Sequence, residues 1–195
     1  IAPTKRGELL SLALTRLRAH APKLIIIGLS ATVRNKDELQ SYLVPHAHPN
    51  SSSKLIEVEE RVKPEIRILT SQTRLPLAGH TALSSMAEIY EAINAHKMSL
   101  VFVNTRMQAE FVFQALWKIN DQGLPIALHH GSLDKEQRRK IEAAMADGKL
   151  RAIVCTATLD LGIDWGDVDL VINVGAPKGA SRLMQRIGRS NHRLD

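Results

Sequence analysis

The chain has 195 residues, 44% hydrophobic and 24% charged, which is enough to bury a core and far from the composition of a disordered segment. It has no run of eighteen apolar residues to span a membrane, and its one cysteine, Cys155, excludes an internal disulfide or a zinc ribbon and fits a reducing cytoplasm. Lys and Arg exceed Asp and Glu by 26 − 20 = +6, and 4% of residues are aromatic, so a polyanion partner is allowed and any nucleic acid is expected to be held by its phosphates, not by base stacking.

The sequence opens at Ile1 with no charged-then-apolar leader, so it reads as a piece of a longer protein. From Gly7 to Ala19, Leu10, Ala13, Leu14 and Leu17 recur at helical spacing until Pro22. The run KLIIIGLSAT then suits a buried parallel strand ending in a polar loop. Asn35 can cap a short helix from Lys36 to Leu43, and the Pro/Ser/Asn-rich stretch Pro45 to Ser53 marks a domain boundary. Residues 1–49 therefore form one domain part, 50–64 a linker, and 65–195 a second domain. Extended stretches at Leu55 to Val58 and Ile66 to Leu69 lead to the loop TRLPLAGH, followed by a helix with Leu83, Met86, Ala87, Tyr90 and Ile93 on one face.

Strands at Leu100 to Val103, Ile126 to Leu128, Ala152 to Cys155 and Leu170 to Val174 alternate with helices at Arg106 to Ile119, Lys135 to Met145 and from Ser181. That order predicts an α/β fold with right-handed crossovers and a parallel sheet covered on both faces. Phe111, Phe113 and Trp117 read as core or near-core. The run KEQRRK at Lys135 to Lys140 reads as a solvated face.

Ligands of such sheets collect beyond the carboxyl ends of the strands. Those ends carry Ser30-Ala31-Thr32, Asn104-Thr105-Arg106, His129-His130-Gly131-Ser132, Thr156-Ala157-Thr158 running on to Asp164, and Gly175 to Gly179. Hydroxyls, amides freed by glycine and cations at helix starts are what phosphate oxygens bind. Each alone is also an ordinary turn or cap; five together point to a phosphate-rich ligand. Adjacent His129 and His130 should face opposite sides of an extended segment, which is poor geometry for shared zinc. Near the end, LMQRIGRSNHR sets Arg186, Arg189 and Arg193 within eight positions, a density suited to a planar, multiply charged partner. No G-x-x-x-x-G-K-[ST] loop and no D-E-x-H stretch occurs, so the parts that cradle a triphosphate and hold Mg²⁺ are absent from this sequence.

The order of motifs resembles a known family. SAT, VFVNTR, HHGSLD, CTATLDLGID and QRIGR look like motifs III, IV, IVa, V and VI of superfamily 2 helicases. The fuller strings LVFVNTRMQAE, VCTATLDLGIDW and GAPKGASRLMQRIGRSNHR are similar to the large helicase-related (Lhr-like) DNA helicases, and most resemble the bacterial ligase-associated DEXH-box form. The resemblance implies the end of a first RecA-like domain and most of a second RecA-like domain, starting just after motif II, with the Walker lysine and DExH acids upstream. It implies ATP and Mg²⁺ as cofactors, bound mainly by that upstream domain, so the fragment alone should be inactive.

In this resemblance Gln185, Arg186, Arg189 and Arg193 form the second wall of the ATP cleft. The usual last arginine falls on His192, with Arg193 one step later. Gly162 and Asp164 belong to the nucleotide side, and Ser30, Ala31 and Thr32 couple the ATP site to the hinge. Thr105, Arg106, Gly131, Ser132 and Thr156 hold phosphates of a single DNA strand. The implied parent is a cytoplasmic bacterial 3′–5′ DNA helicase associated with repair, acting on single-stranded DNA or on forked or hybrid duplexes, with a repair ligase or nuclease as partner and no membrane. An RNA helicase of the same superfamily and a catalytically silent nucleic-acid-binding module are the alternatives.

Overall fold

A computed structural model of the chain describes residues 5–30, 35–44, 53–57, 64–69, 82–159, 168–177 and 179–188. The chain divides into two compact units, residues 1–63 and 64–195.

In the first unit, α1 (Lys5–His20) and α2 (Lys36–Leu43) are joined by two side-chain ties. The Tyr42 hydroxyl donates to the Gly7 carbonyl at 2.6 Å, and Arg18 donates to the Leu43 carbonyl. Asn35 caps α2 as expected, its Oδ1 accepting from the Glu38 amide at 3.2 Å. The expected buried strand at Lys23 to Thr32 is not formed over its described part. Residues 24–30 make no ladder, and Ile25, Ile27 and Leu29 are 83%, 78% and 93% exposed. A β-branched run becomes a strand only when a neighbouring strand completes its hydrogen bonds, and no described residue supplies one. The same holds for Ile56, Ile66 and Ile68, which stay exposed in unpaired segments.

The second unit is built around a four-stranded, all-parallel sheet in the order β2-β3-β1-β4. The strands are β1 (Ser99–Phe102), β2 (Ile126–His129), β3 (Ala152–Cys155) and β4 (Leu170–Asn173). Helices α3 (Met86–Ala95), α4 (Arg106–Lys118), α5 (Lys135–Ala146) and α6 (Ala180–Ile187) complete it. The chain runs from β1 to β2 in one direction along the sheet and returns from β2 to β3. Right-handed crossovers therefore put α4 and α5 on opposite faces. Side chains divide by strand parity. Val101, Val103, Val154 and Ile172 pack with α3 and α4, whereas Leu100, Phe102, Ile153 and Cys155 pack on the other face with Met145 of α5. β1 and β3 are buried at every position, as strands of a doubly covered sheet should be.

Two aromatic expectations are corrected. α4 meets the sheet through Ala109, Val112 and Leu116. Phe111 and Trp117 each lie one residue, or about 100°, off that stripe, and are 46% and 59% exposed. Phe113 is partly buried against the core and stacks with Trp117 at a centroid distance of 5.9 Å. In α3 the buried stripe is Met86, Ile89, Tyr90 and Ile93. Leu83 precedes the helix in a 3₁₀ turn and is exposed, as is Ala87. Among the described residues no helix is long and apolar enough to cross a membrane.

Candidate nucleic-acid interface

Beyond the carboxyl ends of β1, β2 and β3 lies an open depression of about 560 Å³, lined by Asn104, Thr105, Arg106, Gly131, Thr156, Ala157 and Thr158. The sequence there builds turns by known local rules. Thr105 is the N-cap of α4, its Oγ1 accepting from the Gln108 amide at 3.1 Å, so its O–H stays available to donate outward. Arg106 opens the helix, and its guanidinium donates to the Ser132 Oγ. Thr156 leaves β3 half-buried, its amide donating to the His129 carbonyl at 3.3 Å. The loop after β4 is tied in as well, because the Asn104 side-chain amide donates to the Ala176 carbonyl at 3.0 Å. Gly175 makes that approach possible, with φ +82° and only 3.3 Å from an added Cβ to Asn104 Nδ2.

The five residues proposed from sequence to hold phosphate thus converge on one edge, with Ser132 joined to the depression through Arg106. Asn104 and Thr158, strand-end residues given no ligand role from sequence, also line it. Ser30 ends the exposed segment of the first unit, while Ala31, Thr32, Gly162, Asp164, Arg189 and Arg193 lie outside the described residues. Gln185 is half-buried on α6. Arg186 is turned toward the sheet. It is 1% exposed, its guanidinium lies 4.5 Å from the centroid of the Phe102 ring, and it donates to Asn173 Oδ1 at 3.0 Å. The reason is helical phase: on this short helix the Arg186 side chain points at Phe102 of β1 and Asn173 of β4.

His129 and His130 face opposite ways, as their adjacency requires. The His129 ring meets Glu142 of α5 at 3.1 Å and the Thr158 hydroxyl at 2.9 Å, whereas His130 meets Glu110 of α4 at 2.8 Å. Both are buried. Burial holds the His129 imidazole below its ordinary value, against the upward pull of Glu142, and the coulombic effects of Arg138 and His130 push the same way as burial. With the ring neutral, Nε2–H donates to the carboxylate and Nδ1 accepts from Thr158. The folded state then takes up this proton at lower pH than the unfolded chain does. The stabilisation is complete above the unfolded value of about 6.5 and is lost as pH falls from there through the lower folded value. Chemical denaturation from pH 7.5 to pH 5 should show that loss, and His129→Asn should flatten the slope relative to the parent. Equal slopes would remove His129 from the acid response.

Residues 82–193 match the helicase conserved C-terminal domain. The chain belongs to that family. In this helicase C-terminal domain the parallel sheet is the RecA-like core, and the resemblance to large helicase-related proteins holds along the rest of the chain. The ATP-dependent helicase Lhr-Core protein 2 of Thermococcus barophilus is 35% identical over 100% of the chain, which covers 23% of that relative. The Lhr helicase/uracil glycosylase of Escherichia coli is 31% identical over 100% of the chain and 15% of its own length. Among solved structures, Mycobacterium smegmatis helicase Lhr bound to single-stranded DNA and AMP-PNP is 34% identical with a TM-score of 0.79, over 100% of this chain and 26% of that one. The helicase C-terminal domain and its flanking segment therefore span about a quarter or less of these relatives.

Proposed function

We propose that this chain is the part of an ATP-dependent Lhr-type DNA helicase that grips one DNA strand by its phosphates and supplies the arginine side of the ATP site. The depression at the ends of β1, β2 and β3 carries the reading. Hydroxyls of Thr105 and Thr156 and the Arg106 guanidinium line one open edge, and such donors hold phosphate without reading bases, as a motor moving over any sequence requires. The likeness to an Lhr bound to single-stranded DNA over the whole chain supports it.

In this reading residues 1–49 close a first RecA-like domain, 50–64 form the hinge and 65–195 are the second domain. The exposed Ile25, Ile27 and Leu29 are what a strand lacking its sheet neighbours presents. ATP and Mg²⁺ would be held mainly by a phosphate loop and DExH acids outside this sequence. Gln185, Arg189 and Arg193 would face the nucleotide with Gly162 and Asp164, and Ser30, Ala31 and Thr32 would couple hydrolysis to the hinge. The motif resemblance supports extending the proposal to 3′–5′ movement, a repair role beside a ligase or nuclease, and a bacterial cytoplasmic setting.

The test is Thr156→Val in the intact parent protein. Removing one neutral donor costs about 0.5–1.5 kcal/mol, so half-maximal ATPase should need a few-fold to about tenfold more single-stranded DNA, at unchanged maximal turnover. An unchanged DNA requirement would take Thr156 off the DNA track.

A further inference from the structure

We propose that His130 and Glu110 are positioning residues for the phosphate track, a strut that fixes the Gly131–Ser132 turn against α4. The proposal rests on the DNA reading of this edge. His130 is 4% exposed, so water does not satisfy its ring, and its hydrogen bonds admit one arrangement. The Ser132 backbone amide can only donate, and it lies 3.2 Å from His130 Nδ1, so that nitrogen carries no proton. Nε2 then carries it and donates to Glu110 Oε1 at 2.8 Å. The His130 carbonyl also accepts from the Leu133 amide at 3.1 Å. The turn bearing two exposed residues of the track, Gly131 and Ser132, is thus held twice from one residue, by its ring and by its main chain.

The ties close a circuit. Glu110 stands one helical turn beyond Arg106 on α4, and Arg106 donates to Ser132 Oγ. From α4 the path runs through Glu110, His130 and Ser132 back to Arg106 and α4. A long arginine side chain on a surface ordinarily loses rotamer freedom when it meets a phosphate. Here Arg106 has given up that freedom beforehand, and the Ser132 hydroxyl is aimed by the same turn. Carboxylate–histidine pairs act this way wherever a ring must be fixed in one tautomer and one orientation.

Three substitutions at His130 separate the links. His130→Asn sets an amide oxygen near the place of Nδ1 and keeps an acceptor for the Ser132 amide. His130→Gln sets an amide nitrogen near the place of Nε2, keeping the Glu110 link and losing Ser132. His130→Phe keeps volume and loses both. In the intact parent protein, Gln and Phe should raise the single-stranded DNA concentration for half-maximal ATPase by about tenfold, the worth of one well-placed hydrogen bond, with maximal turnover within about twofold, and Asn should recover most of that rise. Glu110, half-exposed and outside the core, gives an arm safe for folding: Glu110→Ala should cost several-fold in the same quantity, and Glu110→Gln, which keeps an acceptor, little. Equal impairment by Asn and Gln, or losses that follow thermal stability instead of DNA concentration, would overturn the strut. If Thr156→Val shifts the DNA requirement and no His130 or Glu110 variant does, the strut fails and the track stands. If none of them shifts it, Thr156→Val included, the track itself is misplaced and the strut falls with it.

Discussion

Arg189→Ala in the intact parent protein should lower ATP turnover about 10³-fold, the usual worth of an arginine that meets the γ-phosphoryl group. Affinity for single-stranded DNA should stay within about twofold, because a guanidinium of this kind acts on charge that develops only as the phosphoryl group transfers. Turnover at saturating DNA and filter binding of a labelled oligonucleotide, measured on the same preparation, give both quantities. The opposite pattern, DNA binding lost with turnover kept, would put the arginine cluster on the nucleic-acid side and refute the proposed ATP wall. Arg189→Lys should recover little, since an ammonium cannot form the paired hydrogen bonds of a guanidinium.

Arg186 should behave differently although it stands three residues earlier. Its guanidinium is packed over the Phe102 ring and bonded to Asn173, so Arg186→Ala opens a cavity and strips a partly buried amide oxygen of its donor. Truncations of that kind cost about 3 kcal/mol or more. Urea denaturation should show the loss at every nucleotide concentration, and Arg186→Lys should recover only part of it, because the planar group is what stacks on the ring. A fully stable Arg186→Ala whose only defect is in turnover would return Arg186 to the catalytic wall. The two arginines, indistinguishable as letters in QRIGR, are predicted to fail in different assays.

How far the sequence could be read follows from which interactions are local. The strands and helices of the second unit fall within a residue or two of their expected bounds, because short β-branched runs and 3.6-residue stripes are local signals. Thr105 and Asn35 are caps for the same reason. That Thr105, Arg106, Gly131 and Thr156 line one edge was legible because topology sends every parallel strand end to one side. What failed needed knowledge of neighbours. KLIIIGLS has the composition of a strand, but its ladder partner cannot be inferred from its own residues. Trp117 and Phe111 have the composition of a core and miss the buried stripe by a single step. The bond of Glu110 to His130 joins residues twenty apart whose meeting depends on how α4 lies over β2, and Arg186 was assigned by its motif although its helical phase turns it inward.

A motor that pulls on a polymer also pulls on its own scaffold. The proposed grip hangs from the carboxyl ends of three neighbouring parallel strands, β2, β3 and β1, in that order across the sheet. A tug along the strand axes would load the ladder bonds between them side by side, in shear, since those bonds run across the strands. To slip one strand, several bonds would have to give together, whereas a hairpin pulled open at its end surrenders them singly. The four-residue register shared by β1 and β3 would then act as a small tensile joint, passing force from the gripped phosphates into the body of the domain with little stretch. Pulled across the strands instead, the same sheet should open at far lower force, so the direction of load decides how strong this domain is.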